Sequence, residues 1–272
     1  PALLWVVIGT LLIGAVHDFS ALVISMRARG MSIGKVAEDI IGPRAKTLFH
    51  IIIFFLIGLA MGVFVHVCAT LLTTAYNPEA IYPSGTLMVL AILMGWAVYK
   101  KNVSIVVVTT ISFTLTLLAV WFGTRLPIID LDLDQWKAIL LIYSFAASVL
   151  PVWLLLQPRD YINSLLLYLG LAAIFFGFFL LQPEFAAPAV QSHPKGAPPL
   201  FPFVFIIIAC GAVSGFHGLV SSGTTAKQIN KETDATFIGY GGMIGESLLG
   251  LVSVLACTAG FLTQDLWMDH YS

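Results

Sequence analysis

Carboxyl and imidazole groups stand inside stretches of this sequence that are otherwise apolar enough to lie in a membrane. His17 and Asp18 follow Gly14 in the first apolar run, and Glu246 lies in the last one. Ionisable side chains are costly to desolvate in a bilayer, so each of them needs either a partner or a function. A carboxyl beside an imidazole can bind and release a proton or a cation near neutral pH. The residue types therefore predict that His17, Asp18 and Glu246 couple ion movement.

A structural interpretation of the same groups stays open at this stage. His17 and Asp18 can be a polar pair that hydrogen-bonds a neighbouring helix or Arg27. Glu246 can be an interfacial carboxylate that pairs with a lysine such as Lys231. The sequence alone does not choose between these alternatives and ion coupling.

A second polar cluster runs from Cys210 to Thr225, inside another membrane-length stretch. Lipid offers no hydrogen bonds to backbone groups, so a glycine-broken helix at this depth is expected where it is buried in protein or lines a wet cavity. Such breaks form substrate sites in transporters, although small residues also serve close helix packing. We predict that a carboxylate-bearing substrate binds the following residues: Gly14, Gly211, Ser214, Gly215, His217, Ser221, Ser222, Thr224 and Thr225.

The two polar regions share a sequence pattern. Residues Gly14–Ser25 align without a gap on Gly211–Ser222, and both read G-A-V-x-x-F-x-x-L-V-x-S. Seven of the twelve positions are identical. This pattern predicts an internal structural repeat with a broken helix in each copy.

Composition places the chain among integral membrane proteins of the all-α class. Hydrophobic residues make up 59% of it, charged residues only 10%, and its mean hydropathy is +0.97. Soluble domains carry more than twice that charged fraction. The net charge of −1 and the lack of a basic tract argue against a nucleic-acid partner. The three cysteines show no metal-ligand spacing, so neither a metal nor a cofactor is predicted.

The apolar runs predict a polytopic bundle of about eight membrane helices. They lie near residues 1–26, 47–75, 84–99, 103–122, 138–156, 162–181, 203–222 and 241–262. Most lysines and arginines follow the first, third, fifth and seventh runs, which puts those loops on the cytoplasmic side. The first and seventh helices therefore run in the same direction, so the repeat is expected to be parallel.

The connecting segments carry further expectations. The cytoplasmic loop 27–46 contains a short interfacial helix that Ser32 can cap, and the proline-rich segment 182–202 is expected to be an extracytoplasmic loop. Pro158 is expected to end the fifth helix. Arg159 and Asp160 either tether this turn to another cytoplasmic loop or form a contact that breaks when the cavity opens. The chain begins inside an apolar run, so residues 1–272 are interpreted as one transmembrane domain that is an internal fragment of a longer chain.

Several of these segments together are similar to the carbon starvation protein A family of bacterial inner-membrane transporters. The matching motifs are Gly14–Phe19, Ser25 with Arg27, Leu156–Tyr161, Phe201–Phe203, Ala209–His217, Ser221–Thr225, Glu232–Asp234, Ile238–Gly241 and Glu246 with Ser247. The resemblance implies a multi-pass secondary transporter of the plasma membrane that takes up peptides, or pyruvate in related branches, during carbon starvation. Some members carry glutamine at the position of His17, whereas Asp18 matches the family pattern.

The functional hypothesis is therefore secondary active uptake of a peptide or a small carboxylate, coupled to H⁺ or Na⁺, with the lipid bilayer as surroundings and the oligomeric state left open. Two alternatives remain. Ser214 in Ala-Val-Ser-Gly can be the nucleophile of an intramembrane serine protease, with His66 or His217 as its base. A passive channel shares the same polar breaks and differs only in its flux kinetics.

Overall fold

The fold is described here from a computed structural model, which describes residues 1–126, 129–190 and 199–271. Those residues contain helices and connecting segments and no β-strand. The α-helices are α1 (Ala2–Gly9), α2 (Ala15–Arg27), α3 (Ile33–Ile40), α4 (Pro43–Leu71), α5 (Ile81–Lys101), α6 (Ile105–Gly123), α7 (Leu133–Val149), α8 (Leu156–Leu181), α9 (Leu200–Ile207), α10 (Gly215–Ser221), α11 (Gly241–Ala259) and α12 (Gln264–Tyr271).

Six helical segments of the described chain are long and apolar enough to cross a membrane. They are Ala2–Arg27, Pro43–Leu71, Pro78–Lys101, Ile105–Gly123, Leu156–Leu181 and Glu232–Ala259. These six correspond to six of the eight predicted runs. The other two differ, because α7 is a shorter helix of 17 residues and the run 203–222 is interrupted. The all-α, polytopic membrane class is thus confirmed.

The chain forms two compact units. One unit combines both ends of the chain, Pro1–Ile52 and Leu171–Ser272, and the other contains Ile53–Gly170. The repeated motif and the carboxyl groups of interest all lie in the first unit.

The first membrane segment is one helix from Ala2 to Arg27, and it was wrong to predict that it unwinds at Gly14. Residues Thr10–Gly14 form a single π-turn, in which the Ala15 amide donates to the carbonyl of Thr10, five residues back. A π-turn keeps the backbone groups hydrogen-bonded while it adds one residue to the turn. The Gly14 backbone therefore stays helical and buried.

The segment that was predicted to break around Gly211 does break. Helix α9 ends at Ile207, residues Ala209–Gly211 form one 3₁₀ turn, and α10 begins only at Gly215. Ser214 has extended backbone, with φ −90° and ψ 109°. Glycine and serine disfavour continued helix here, and the freed backbone groups find partners in other helices, as described below.

A short helix is present at the predicted place as α3, with Ser32 at its N-cap position but with no bond from the Ser32 side chain, and its interfacial position stays a prediction. The first amide of α3, that of Ile33, donates instead to Ser222 Oγ at 3.2 Å. Hydrogen bonds from Lys35 and then from Lys46 hold the pKa of Glu38 below its usual range. These exposed contacts join α3 to the start of α4.

The second unit contains a helical hairpin of α5 and α6. Asn102, which ends α5 in the left-handed conformation at φ 53°, reverses the chain between the two helices. Helix α7 starts with a capping box between Asp132 and Gln135, whose bonds measure 2.8 and 3.0 Å. Both features follow local sequence signals.

Two expectations about the turn before α8 are wrong. Pro158 does not end the preceding helix, because α7 already ends at Val149 and Pro158 lies in the first turn of α8, where proline is tolerated. Arg159 does not reach another loop: its guanidinium bonds Asp160 at 2.7 Å and the Tyr143 hydroxyl of α7 at 3.0 Å. The arginine thus ties α8 to the helix immediately before it.

The proline-rich segment 182–202 is described only in part. The amides of Ala186 and Ala187 donate to the Thr258 carbonyl, which fixes the start of the segment to the end of α11. Its final residues already belong to α9. The part of the predicted loop between residues 191 and 198 lies outside the described residues.

Candidate functional site

The centre of the candidate site is the carboxyl group of Asp18, which lies between two imidazoles. Its Oδ1 is 2.9 Å from Nδ1 of the adjacent His17, and its Oδ2 is 2.6 Å from Nδ1 of His217. The Asp18 side chain is 4% exposed, whereas those of His17 and His217 are 41% and 30% exposed. A nearly buried carboxylate thus contacts two imidazoles that are each partly accessible.

This contact exists because α2 and the broken segment approach closely. A Cβ on Gly14 would overlap the carbonyl oxygen of Ala212, and a Cβ on Gly218 would lie 3.2 Å from His17 Cε1. Because glycine has no side chain, the Ala212 carbonyl can approach Gly14 and the His17 ring can approach Gly218. The small residues of the repeated motif therefore position the Asp18–His217 pair.

Carbonyls that the irregular backbone leaves available accept bonds from hydroxyls of the opposite segment. The hydroxyl of Thr10, at the π-turn, donates to the Gly211 carbonyl at 3.1 Å. Tyr240 donates to the Leu11 carbonyl at 2.9 Å. In lipid an unsatisfied carbonyl costs several kcal/mol, about as much as a lost hydrogen bond in an apolar medium. Side-chain hydroxyl groups therefore satisfy carbonyl groups of the irregular backbone in both segments.

The two copies of the repeated motif run parallel, as the distribution of cations predicted. Going along the first copy, Thr10, Asp18 and Ser25 contact positions 211, 217 and 223 in turn. The partner numbers rise together, which only parallel segments allow. The repeat is thus parallel in this chain, although its first copy carries a π-turn where the second is unwound.

A cavity of about 250 Å³ opens beside Asp18. It is bordered by α2, α10 and the start of the last membrane helix, and its polar lining is Asp18, His217, Ser221, Thr225 and Glu246. Its apolar and glycine lining is Leu22, Val220, Ile238, Gly239, Gly242 and Met243. The described lining therefore offers two carboxyl groups, one imidazole and two hydroxyls to a small polar molecule, with no lysine or arginine.

Glu246 lies at one end of this cavity. Of the described residues, none with a cationic side chain comes within ion-pair distance of its carboxyl, so the predicted alternative of a Lys231 pair is wrong. Its recorded contact is a long one, with the Cys210 thiol at 3.9 Å. The Glu246 carboxyl thus lines the cavity without a cationic partner among the described residues.

The loops that follow the two motif copies contact each other on one side of the cavity. Ser25 Oγ accepts the Gly223 amide at 3.1 Å, and Arg27 bonds Glu232 at 2.7 Å. Together with the Ile33 amide on Ser222, these bonds connect segments almost 200 positions apart. Both loops therefore lie on the same side of this unit, in agreement with the predicted topology.

The site residues predicted from sequence fall into two groups. Those on the cavity or on its carboxyl are His17, Asp18, His217, Ser221, Thr225 and Glu246. Those that pack or connect helices instead are Gly14, Gly211, Ser214 and Ser222, while Gly215 and Thr224 are outside the lining. Arg159 and Asp160 belong to the other unit. The roles proposed for all these residues in substrate binding, ion coupling or gating stay predictions.

Sequence reasoning missed the main neighbours that complete the site. Thr10 and Tyr240 gave no signal, because a hydroxyl in an apolar run is common. Gly239 lines the cavity, and a Cβ there would lie 2.9 Å from Phe19 Cα. The glycine-rich run before Glu246 was the one available sign that this helix packs closely against another.

The serine proposed as a nucleophile is not joined to an imidazole base. Ser214 is 3% exposed and its hydroxyl accepts from the Cys210 thiol at 3.7 Å, and among the described residues no hydrogen bond joins that hydroxyl to a histidine ring. No described group of three or more His, Cys, Asp or Glu residues could hold a metal ion.

Comparison with known proteins gave consistent matches. The family model described as "Carbon starvation protein CstA" matches residues 1–270. The chain is 36% identical over 270 residues to "Peptide transporter CstA" of Bacillus subtilis (strain 168), covering 95% of this chain and 45% of that protein. It is 35% identical over 275 residues to "Pyruvate/proton symporter BtsT" of Escherichia coli (strain K12), covering 95% and 38%.

A third relative is "Peptide transporter CstA" of Escherichia coli (strain K12), which is 35% identical over 269 residues and covers 94% of this chain and 38% of the relative. The chain therefore spans less than half the length of each of these relatives. No solved structure matches the chain significantly.

Proposed function

Because this chain belongs to the carbon starvation protein CstA family, we propose that the complete protein takes up peptides or small carboxylates such as pyruvate together with protons. The apolar helices and the bacterial relatives make it a multi-pass protein of the inner membrane. Two relatives are named peptide transporters and one a pyruvate/proton symporter, which supports a carrier rather than an enzyme.

The observation that carries the proposal is the buried Asp18 carboxyl between His17 and His217. With both rings neutral and Nδ1 protonated, each ring donates to the carboxylate and keeps Nε2 as an acceptor for a further proton. The three groups then carry a charge of −1, which one added proton neutralises. A neutral site is far less costly to enclose in a bilayer, so proton binding and closure of the cavity are coupled.

The substrate occupies the cavity in this proposal. Ser221 and Thr225 supply hydroxyls, and His217 lies both on the cavity and on Asp18. A bound molecule that hydrogen-bonds the imidazole of His217 changes the proton affinity of the same ring that contacts Asp18. That shared imidazole links the binding of the substrate to the binding of the proton.

Uptake by the full-length protein in proteoliposomes tests the proposal. An inward pH gradient at fixed membrane potential is expected to drive pyruvate or a short peptide above its equilibrium level. Asp18→Asn keeps the size of the side chain but cannot exchange the proton, so accumulation should fall to equilibrium while substrate exchange continues. Asp130→Asn, in an exposed segment, is the matched control and should leave accumulation unchanged.

Three results would contradict the proposal in different ways. Undiminished accumulation by Asp18→Asn would remove Asp18 from coupling. Accumulation that follows a sodium gradient instead of the pH gradient would replace the proton as the driving ion. Flux that neither saturates nor exceeds equilibrium would identify a passive channel.

A further inference from the structure

A second cavity lies in the unit formed by Ile53–Gly170, far in sequence from Asp18. Its volume is about 240 Å³, and it runs between the end of α5, the start of α6 and the start of α8. Its walls are mainly apolar, with Met94, Val98, Ile105 and Pro158, and the rings of Tyr99 and Tyr161 and the amide of Gln157 complete the lining. An apolar groove with polar rings in its lining suits an amphiphile better than a water-soluble solute.

The last two residues of α5 are lysines that directly follow Tyr99 of the groove lining, and the Tyr99 ring packs 5.8 Å from the Trp153 ring. Lys100 Nζ lies 5.5 Å from the centre of the Trp153 ring, and Lys101 Nζ lies 5.2 Å from that of Trp96. In the described part of the chain, no carboxylate lies within ion-pair distance of either lysine. The rings hold both cations without neutralising them.

The position of these groups along α5 indicates the depth at which they lie. Helix α5 crosses the membrane and ends at Lys101, so the two lysines are at the level of the lipid headgroups, where such residues concentrate. Along the same helix, Val98 lies less than one turn and Met94 nearly two turns deeper, toward the level of the acyl chains. The lysines and the groove together therefore cover both the headgroup level and the acyl-chain level of the lipid layer.

We propose that this groove binds one anionic phospholipid, with the phosphate at Lys100 and Lys101 and an acyl chain along Met94, Val98 and Ile105. Charge complementarity selects an anionic headgroup, because the two cations lack carboxylate partners among the described residues. The apolar wall selects a lipid over free phosphate, which would gain nothing from Met94 or Ile105. No relative's name assigns such a site, and the site is independent of transport through the Asp18 cavity.

Lipid retention by the complete protein measures this binding. The protein is purified from nanodiscs of equal parts phosphatidylglycerol and phosphatidylcholine, and the bound lipid is counted by native mass spectrometry. Each juxtamembrane cation contributes about fivefold in affinity for anionic lipid, so phosphatidylglycerol should exceed phosphatidylcholine about tenfold to thirtyfold. Lys100→Gln with Lys101→Gln should abolish that preference while leaving total protein and its fold unchanged.

The chain supplies a matched control. Arg125 stacks on the Trp121 ring at 3.7 Å, which is also a cation over a tryptophan at the end of a membrane helix, and neither residue lines this groove. Arg125→Gln should therefore keep the preference for phosphatidylglycerol. Val98→Trp, which fills the groove but removes no charge, should lower retention of both lipids.

Four outcomes would overturn the proposal. The preference for phosphatidylglycerol could survive the double lysine change, which would mean that the lysines do not bind the headgroup. The preference could instead be lost equally with Arg125→Gln, which would identify a nonspecific effect of surface charge. Glycerol phosphate without acyl chains could bind as well as the lipid, which would identify a soluble anion site. Retention unaffected by Val98→Trp would mean that the groove does not hold the acyl chain.

Discussion

At the scale of single residues, the decisive feature is that the carboxyl group of Asp18 contacts two imidazoles. His17 and Asp18 were noticed as a pair because they are adjacent, and His217 was noticed because it lies among glycines. Their meeting could not be read from sequence, since 199 positions separate Asp18 from His217. A polar residue in an apolar run shows that it needs a partner but does not show which one.

The two imidazoles are expected to contribute unequally. His217 lies on the cavity and 2.6 Å from Asp18, whereas His17 is more exposed and outside the lining. Hydrogen bonds to charged groups contribute about 1.5–3 kcal/mol, so His217→Gln should lower proton-driven uptake about tenfold to a hundredfold. His17→Gln keeps an amide that can donate to Asp18 and should retain uptake within about threefold.

The pH profile of uptake separates this outcome from simple misfolding. His17→Gln should keep most of the uptake rate across the pH range, and His217→Gln should lower the rate at every pH. Equal losses from both substitutions would mean that the rings only fill space around Asp18.

At the scale of elements, close approach of backbones explains where the glycines are. Gly211 and Gly215 predicted a break, and a break is present between α9 and α10. The π-turn in the first segment could not be predicted, because Thr10–Gly14 has the composition of ordinary membrane helix. It depends on a distant hydroxyl, that of Tyr240, which bonds the Leu11 carbonyl. Local sequence thus located flexible backbone but not the partners that determine its form.

Gly14→Ala tests the close approach directly. The added methyl would overlap the Ala212 carbonyl, so the two segments must separate, at a cost of about 1–3 kcal/mol as for other overpacked sites. Thermal unfolding of the full-length protein in detergent should show a lower midpoint. Gly58→Ala, in α4 with no atom within 4 Å of the new methyl, is the control and should be neutral or raise the midpoint. Similar midpoints for both variants would exclude tight packing at Gly14.

At the scale of the whole chain, the functional unit is assembled from its two ends. Pro1–Ile52 supplies the carboxyl and Leu171–Ser272 supplies the imidazole, the hydroxyls and Glu246. The helical class and six of the eight predicted membrane helices followed from hydropathy, and the parallel course of the repeat followed from the loop charges. The division into two units could not be predicted from the sequence. Hydrophobic periodicity reports only on neighbouring residues, whereas Ser25 and Ser222 bond residues that are far away along the chain.

The serine bonds that connect the two ends should contribute measurably to stability. Ser25 and Ser222 are 1% and 4% exposed, and each accepts a backbone amide from the other end of the chain. Ser25→Ala and Ser222→Ala should each cost about 0.5–2 kcal/mol, since a buried amide loses its acceptor.

Chemical denaturation of the purified protein measures these losses against Ser253→Ala. The Ser253 hydroxyl is exposed and bonds only the Leu249 carbonyl within its own helix, so its removal should change stability by a few tenths of a kcal/mol at most. If Ser253→Ala lowered the free energy of unfolding as much as Ser25→Ala, the bonds between the two ends would contribute no more to stability than a bond within one helix.

The π-turn at Thr10–Gly14 also fixes the rotational phase of the first membrane segment. Each residue of a regular α-helix turns the chain by about 100°, and the π-turn accommodates one residue more than an α-turn does. Regular α-helix over the same residues would therefore swing the Asp18 carboxyl by about 100° away from His217, whereas deleting one residue of the π-turn would restore regular α-helix and leave Asp18 facing His217. The spacing of these residues is therefore as much a part of the site as their chemistry.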